Sequence, residues 1–168
     1  MTSPSSADPA ESISAFRRSH GLSAVKVDPI LTQLAREQAE AMAHSGNMDH
    51  NVKGSFGSRI ARYPTDHAAE NIAMGNATFD ATLRQWENSS GHRANLLLKD
   101  VSRFGIASAG TGQKTYWSLI LATAPSARPA TRHLAKEASA APAKKHAPAH
   151  ETGLLENLIL KLPWSSKP

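Results

Sequence analysis

Glu70-Asn71-Ile72-Ala73 is the stretch on which the fold turns, read with His50 before it and with Trp86 and Ser89-Ser90-Gly91-His92-Arg93 after it. Asn71 to Met74 has the length and apolar content of a short strand, set between a polar, glycine-broken segment and a helical run. One carboxylate, Glu70, and two imidazoles, His50 and His92, thus fall at element boundaries or in turn-rich chain. Polar groups so placed converge on clefts more often than on cores.

Working outward, the N-terminal side reads as helical. Glu11 to His20 forms a first helix stopped by Gly21. Asp28 can cap a longer helix with Pro29 at its first position, and Ile30, Leu31, Leu34, Ala35, Ala39 and Met42 recur as one apolar face until Ser45-Gly46-Asn47 ends it. Met48 to Asp66 is polar and broken by Gly54, Gly57 and Pro64, a site-shaping loop with room for one short helix at Arg59 to Arg62.

On the C-terminal side Phe79 to Trp86 is helical, and Gly91 interrupts it before a further turn through Leu96, Leu97 and Leu98. Phe104 to Ala109 and Thr115 to Ala122 read as strands joined by the Gly110-Thr111-Gly112-Gln113 turn. Three strands with helices before and between them predict a small α+β layered domain.

The 168 residues suit one domain with a substantial core, and an apolar share of 40% argues against wholesale disorder. Through Ala124 there are 12 Lys and Arg against 11 Asp and Glu, and from Pro125 onward 7 against 3. The basic excess belongs to the tail, so it is no nucleic-acid footprint on the domain, and specific nucleic-acid binding is not expected. Without cysteine, neither a disulfide nor a thiolate site contributes, and either redox compartment is compatible.

The chain therefore divides into a Ser- and Pro-rich leader at 1–9, a domain at 10–124, an Ala-, Pro- and Lys-rich linker at 125–150 and a short amphipathic segment at 151–168. Leu154, Leu155, Leu158, Ile159 and Leu162 form the stripe of that last segment, too short for a stable helix alone. Met1 to Ser6 lacks the basic start and apolar core of a signal peptide, and no segment is long enough to span a membrane.

The order His50, Glu70-Asn71-Ile72-Ala73, then Trp86-x-x-Ser89-x-Gly91-His92-Arg93-x-Asn95-Leu96 resembles the bacterial branch of the CAP superfamily of cysteine-rich secretory, antigen 5 and pathogenesis-related proteins, over roughly residues 11–124. The resemblance implies an α/β/α sandwich with a small, mainly antiparallel three-stranded sheet. It implies that His50 and His92 are the two cavity histidines and Glu70 the first cavity glutamate. Ala69 stands where a glycine often precedes that glutamate, and Ser89 where the eukaryotic pattern has its second glutamate. Glu87 is a neighbour of that position and no substitute for it. The resemblance also implies export, with the signal already removed and an extracellular or periplasmic location; a cytoplasmic protein is the alternative.

His50, Glu70, Ser89 and His92 are the candidate cleft residues, with Asn71, Arg93 and Asn95 supporting the loops by hydrogen bonds. Glu70 reads either as a cleft group or as a carboxylate buried for structural bonding, and Ser89 either as a helix cap or as a ligand contact. Trp86, Tyr116 and Trp117 read as core and cleft wall rather than a base-stacking platform. His20, His44, His67, His133, His146 and His150 read as surface or structural imidazoles.

Binding of a small molecule, lipid or envelope component without catalysis is the expected function, because no Ser stands in a nucleophile-elbow context. No cofactor is required by this reading. Two neutral imidazoles and a carboxylate also form the inner shell that zinc or another divalent cation uses when one position stays open for water. A metal-dependent hydrolase is thus the alternative, with His50 and His92 on the cation and Glu70 completing the shell or taking a proton. A third reading makes the domain a scaffold whose basic tail meets anionic envelope polymers or a membrane surface.

Overall fold

The computed structural model describes residues 8–125. The linker, the amphipathic stripe, most of the leader and the tail-based scaffold reading lie outside the described residues.

Asp8 accepts from the Ala10 N–H at 3.0 Å and starts α1 (Pro9–Ser19). Asp28 does the same for α2 (Pro29–Ser45), accepting from the N–H groups of Ile30 and Leu31 at 2.9 and 3.2 Å. Pro29 begins that helix and Gly46, at φ 67°, closes it in the left-handed region. Leu31, Leu34, Ala35, Ala39 and Met42 are buried as their spacing predicts. Ile30, in the first turn of α2, departs from the expected face and is 46% exposed.

Between α1 and α2 runs a strand absent from the sequence reading, β1 (Lys26–Val27), so the sheet has four strands, not three. α3 (Phe56–Ile60) begins three residues before the expected short helix, started by the Ser55 hydroxyl. β2 (Ala68–Met74), α4 (Phe79–Asn88), α5 (Ser90–Leu96), β3 (Arg103–Ala109), a 3-10 turn (Gly112–Lys114) and β4 (Tyr116–Ala122) complete the order. Gly91 lies inside α5; the break falls at Ser89, whose extended backbone ends α4 and begins α5.

The strands lie in the order β1-β3-β4-β2. β4 pairs antiparallel with both long neighbours, placing Glu70 opposite Ile120 and Gly105 opposite Ile120 on its two sides, whereas β1 pairs parallel with the start of β3. Leu119 and Leu121 of β4 face a core with Ile13, Leu83, Trp86, Leu96 and Phe104. Ile120 and Ala122 face the other way, against Leu31, Leu34 and Ala35 of α2 and Tyr63. Both faces of β4 are covered by helices, which is why it reads as an almost unbroken apolar run and why the domain is an α/β/α sandwich.

Gly105 sets the spacing of α2 over the sheet: a Cβ there would sit 2.1 Å from the backbone of Leu31 and Thr32. At the other end of the sheet β2 is an edge strand, and α4 and α5 cover that edge. Trp86 Nε1 donates to the Ile72 carbonyl at 3.2 Å and Asn95 Nδ2 to that of Glu70 at 3.4 Å, satisfying backbone groups that an open edge would expose. Among the described residues no helix is long and apolar enough to cross a membrane.

Candidate functional site

Alternation along β2 divides the ENIA residues between the two helical layers. Glu70 turns to the α2 side, where the Ser118 hydroxyl donates to its Oε1 at 3.2 Å, and Asn71 turns to α5, donating to the His92 carbonyl at 3.0 Å. The site therefore wraps around the sheet edge, with His50 on the loop before α3 and His92 on α5.

Glu70 is the centre of it. Its side chain is 1% exposed, and Arg59, 5% exposed, grips it through Nη1 to Oε1 at 2.9 Å and Nη2 to Oε2 at 2.8 Å. His50 Nδ1 lies 2.8 Å from Oε2. A carboxylate only accepts, so His50 carries its proton on Nδ1 and, when neutral, presents a lone pair at Nε2. His50 is half exposed and meets solvent on its far side.

Arg59 also ties the loop that carries His50. Its Nη2 donates to the His50 carbonyl at 2.9 Å and its Nε to the Gly54 carbonyl at 3.3 Å, with the guanidinium carbon 5.4 Å from the centre of the Phe56 ring. Gln38 of α2 holds the same loop by donating to the Asp49 carbonyl at 2.8 Å.

The α5 side is built on amides. Asn95 Nδ2 donates to Asn71 Oδ1 at 2.8 Å, so two asparagines tie α5 to β2. Arg93 is exposed and reaches only the Glu87 carbonyl, at 3.3 Å. Ser89 makes no helix-capping bond; its Oγ lies 3.0 Å from His92 Nδ1 and orients that ring. Trp86 and Tyr116 are buried, and the Trp117 indole donates to the Asn76 carbonyl at 2.8 Å, as core and wall residues would. Glu87 lines a different groove of about 400 Å³ between α1 and α4, with Phe16 and Leu83, where burial pushes its carboxyl up.

His50, Glu70, Ser89 and His92 thus gather at one edge, and the two imidazoles feel each other. The His92 pKa is lowered from 6.5, chiefly by burial and secondly by the charge His50 can carry. A histidine lowered in the folded state takes up fewer protons there than in the unfolded chain. Its contribution to stability is complete above pH 6.5 and declines as pH falls from 6.5 through the folded pKa. By imidazole NMR, His92 should titrate below 6.5 in the native protein, and His50→Ala should move it upward without reaching 6.5, since burial remains the larger cause. No upward movement would mean that the two rings are not coupled.

Arg59 is the residue the sequence reading missed. One arginine in a polar, glycine-broken loop looks like a solvated side chain, and nothing in its spacing shows that it folds back on Glu70. Its four contacts decide what the site can do. An ionised carboxylate offers about four lone-pair positions, and Arg59 twice, His50 and Ser118 fill them. Glu70 is left without a free lone pair for a cation or a substrate proton, so the residues do not fit the three-ligand zinc shell outlined above. His50 Nε2 and His92 Nε2 remain as open nitrogens. Among the described residues no group of three or more His, Asp or Glu side chains is placed to hold a metal ion.

A sequence model of the cysteine-rich secretory protein family, CAP, matches residues 11–121. Uncharacterized protein YkwD of Bacillus subtilis (strain 168) is 31% identical over 111 residues, 61% of this chain and 41% of that protein. Uncharacterized membrane protein YlbC of the same organism is 31% identical over 106 residues, 60% of this chain and 30% of that protein. The chain spans less than half the length of these curated relatives. Among solved structures, an outer surface protein from Borrelia burgdorferi superposes with a TM-score of 0.63 at 20% identity, over 68% of this chain and 89% of that one. An extracellular protein containing a SCP domain from Bacillus anthracis str. Ames superposes with a TM-score of 0.61 at 25% identity, over 68% of this chain and 38% of that one.

Proposed function

Since the chain belongs to the cysteine-rich secretory protein family, CAP, we propose that it is an exported domain whose His50–His92 cleft binds a small molecule, lipid or envelope component without converting it. The likeness to an extracellular SCP-domain protein supports the destination. The observation that carries the reading is the saturation of Glu70, which removes that carboxylate from acid-base work. Ser89 Oγ lies at nucleophile-to-base distance from His92 Nδ1. Among the described residues, however, no carboxylate bonds to His92 to orient it as a base. Polar groups on rigid elements, with the Nδ1 atoms of both rings engaged by Glu70 and Ser89 and no partner on either Nε2 among the described residues, suit recognition of hydroxyl and amine donors when the rings are neutral.

Carbon-bound imidazole signals of His50 and His92 should be followed while soluble peptidoglycan fragments, anionic phospholipid vesicles and sterol-loaded vesicles are added in turn. One of these probes should shift both rings in a saturable way and should not be altered chemically. Steady hydrolysis of a nitrophenyl ester or of a probe, abolished by Ser89→Ala or Glu70→Gln, would replace binding with catalysis. Absence of saturable shifts with every probe would overturn the cleft as a binding site.

A further inference from the structure

Glu70 and Arg59 are buried together, and the arginine spends its guanidinium within the protein, on both Glu70 oxygens, the His50 carbonyl and the Gly54 carbonyl. We infer that Arg59 stands where a bound cation would otherwise balance Glu70, and so bars divalent metals from that carboxylate. This goes beyond the ligand-binding reading and holds or fails whichever organic molecule the cleft takes.

The exclusion has three parts. A metal ion needs a lone pair, and those of Glu70 are taken by Arg59, His50 and Ser118. Displacing Arg59 would leave a guanidinium in a site 5% exposed, next to an incoming dication and without its counter-charge. A lysine or histidine could relieve that conflict by losing a proton, but a guanidinium stays charged throughout the working pH range. Among the described residues, a cation entering from solvent therefore meets His50 Nε2 and His92 Nε2, two ligands where a stable site has three or four. Arg59 also fixes the His50 loop through two backbone carbonyls, so the same residue positions one imidazole and withholds the carboxylate from it as a co-ligand.

The first test uses the wild-type protein. On titration with Zn(II), the His50 and His92 ring signals should move while the Arg59 Nε–H resonance, held by Gly54, stays in place. Movement or loss of that resonance in step with the ring signals would show the metal displacing Arg59 and would overturn the inference. The second test uses Co(II) absorption and calorimetry on Arg59→Met, with His50→Ala/His92→Ala subtracting metal bound elsewhere. Affinity at the cleft should rise on the order of tenfold or more, and the gain should vanish in Arg59→Met/Glu70→Gln. Equal affinity in wild type and Arg59→Met, or a wild-type site already dependent on Glu70, would overturn it. Should Arg59→Met fail to fold, the wild-type resonance decides alone.

Discussion

Replacing Glu70 with alanine should destabilise the domain by about 3–5 kcal/mol, the cost of leaving one partner of a buried ion pair alone. The pair is not a surface salt bridge, for which about 1 kcal/mol or less would be expected: the Glu70 side chain is 1% exposed and that of Arg59 5%. Alanine removes four accepted hydrogen bonds at once. Arg59 then keeps only the carbonyls of His50 and Gly54. Its charge either stays buried without compensation or pulls the loop outward until water reaches it. The loss should appear in urea unfolding as a lower midpoint, and in heating as a fall on the order of 10–20 °C. Signals of His50 and Arg59 should change together. A loss below about 1 kcal/mol would mean that the pair is solvated, and the account of Glu70 as a saturated, buried carboxylate would fail with it.

The sequence discloses this centre unevenly, for physical reasons. Asp28-Pro29 and the Leu31, Leu34, Ala35, Ala39 and Met42 spacing are local signals, because a helix start and an amphipathic face are written within a few turns of chain. β3 and β4 are legible in the same way. β1 is not: two exposed residues carry no alternation, and the strand exists only because Arg103 and Phe104, more than 70 residues later, offer it an edge. His50, Glu70 and His92 could be named from a resemblance, since spacing alone, spread over three elements, does not bring them together. What their meeting does to the carboxylate was illegible. The contacts of Arg59 with Glu70 and of Ser118 with Glu70 join residues whose types are ordinary in a loop and a strand. Ser89 shows the opposite case, where two readings were open and the geometry supplies a third, a hydroxyl that holds His92.

Arg17 should matter as much to stability as Glu70, although it touches no site residue. It is fully buried on α1, and its guanidinium faces backbone carbonyls. Nε donates to Ser23 at 2.9 Å, Nη1 to Leu96 at 2.7 Å and Leu98 at 2.8 Å, and Nη2 to Val101 at 3.2 Å. Leu96 is the last residue of α5, so the charge sits at the negative end of that helix and ties its exit to the chain entering β3. Burial lowers the Arg17 pKa, and the nearby Asp100 charge opposes that shift, yet the group stays protonated throughout the working range. Arg17→Met keeps much of the apolar stem but removes every donor, leaving four carbonyls to find water or remain unpaired. At about 1–3 kcal/mol for each buried group left unsatisfied, less what partial hydration restores, the expected loss is about 4 kcal/mol. The damage should spread from the end of α5 toward His92, seen as faster amide exchange at Leu96 to Leu98 first and then at His92 itself. A loss under about 1.5 kcal/mol with α5 exchange unchanged would show that water replaces the guanidinium without strain, and that α5 is held to the sheet by Asn71, Asn95 and the apolar core alone.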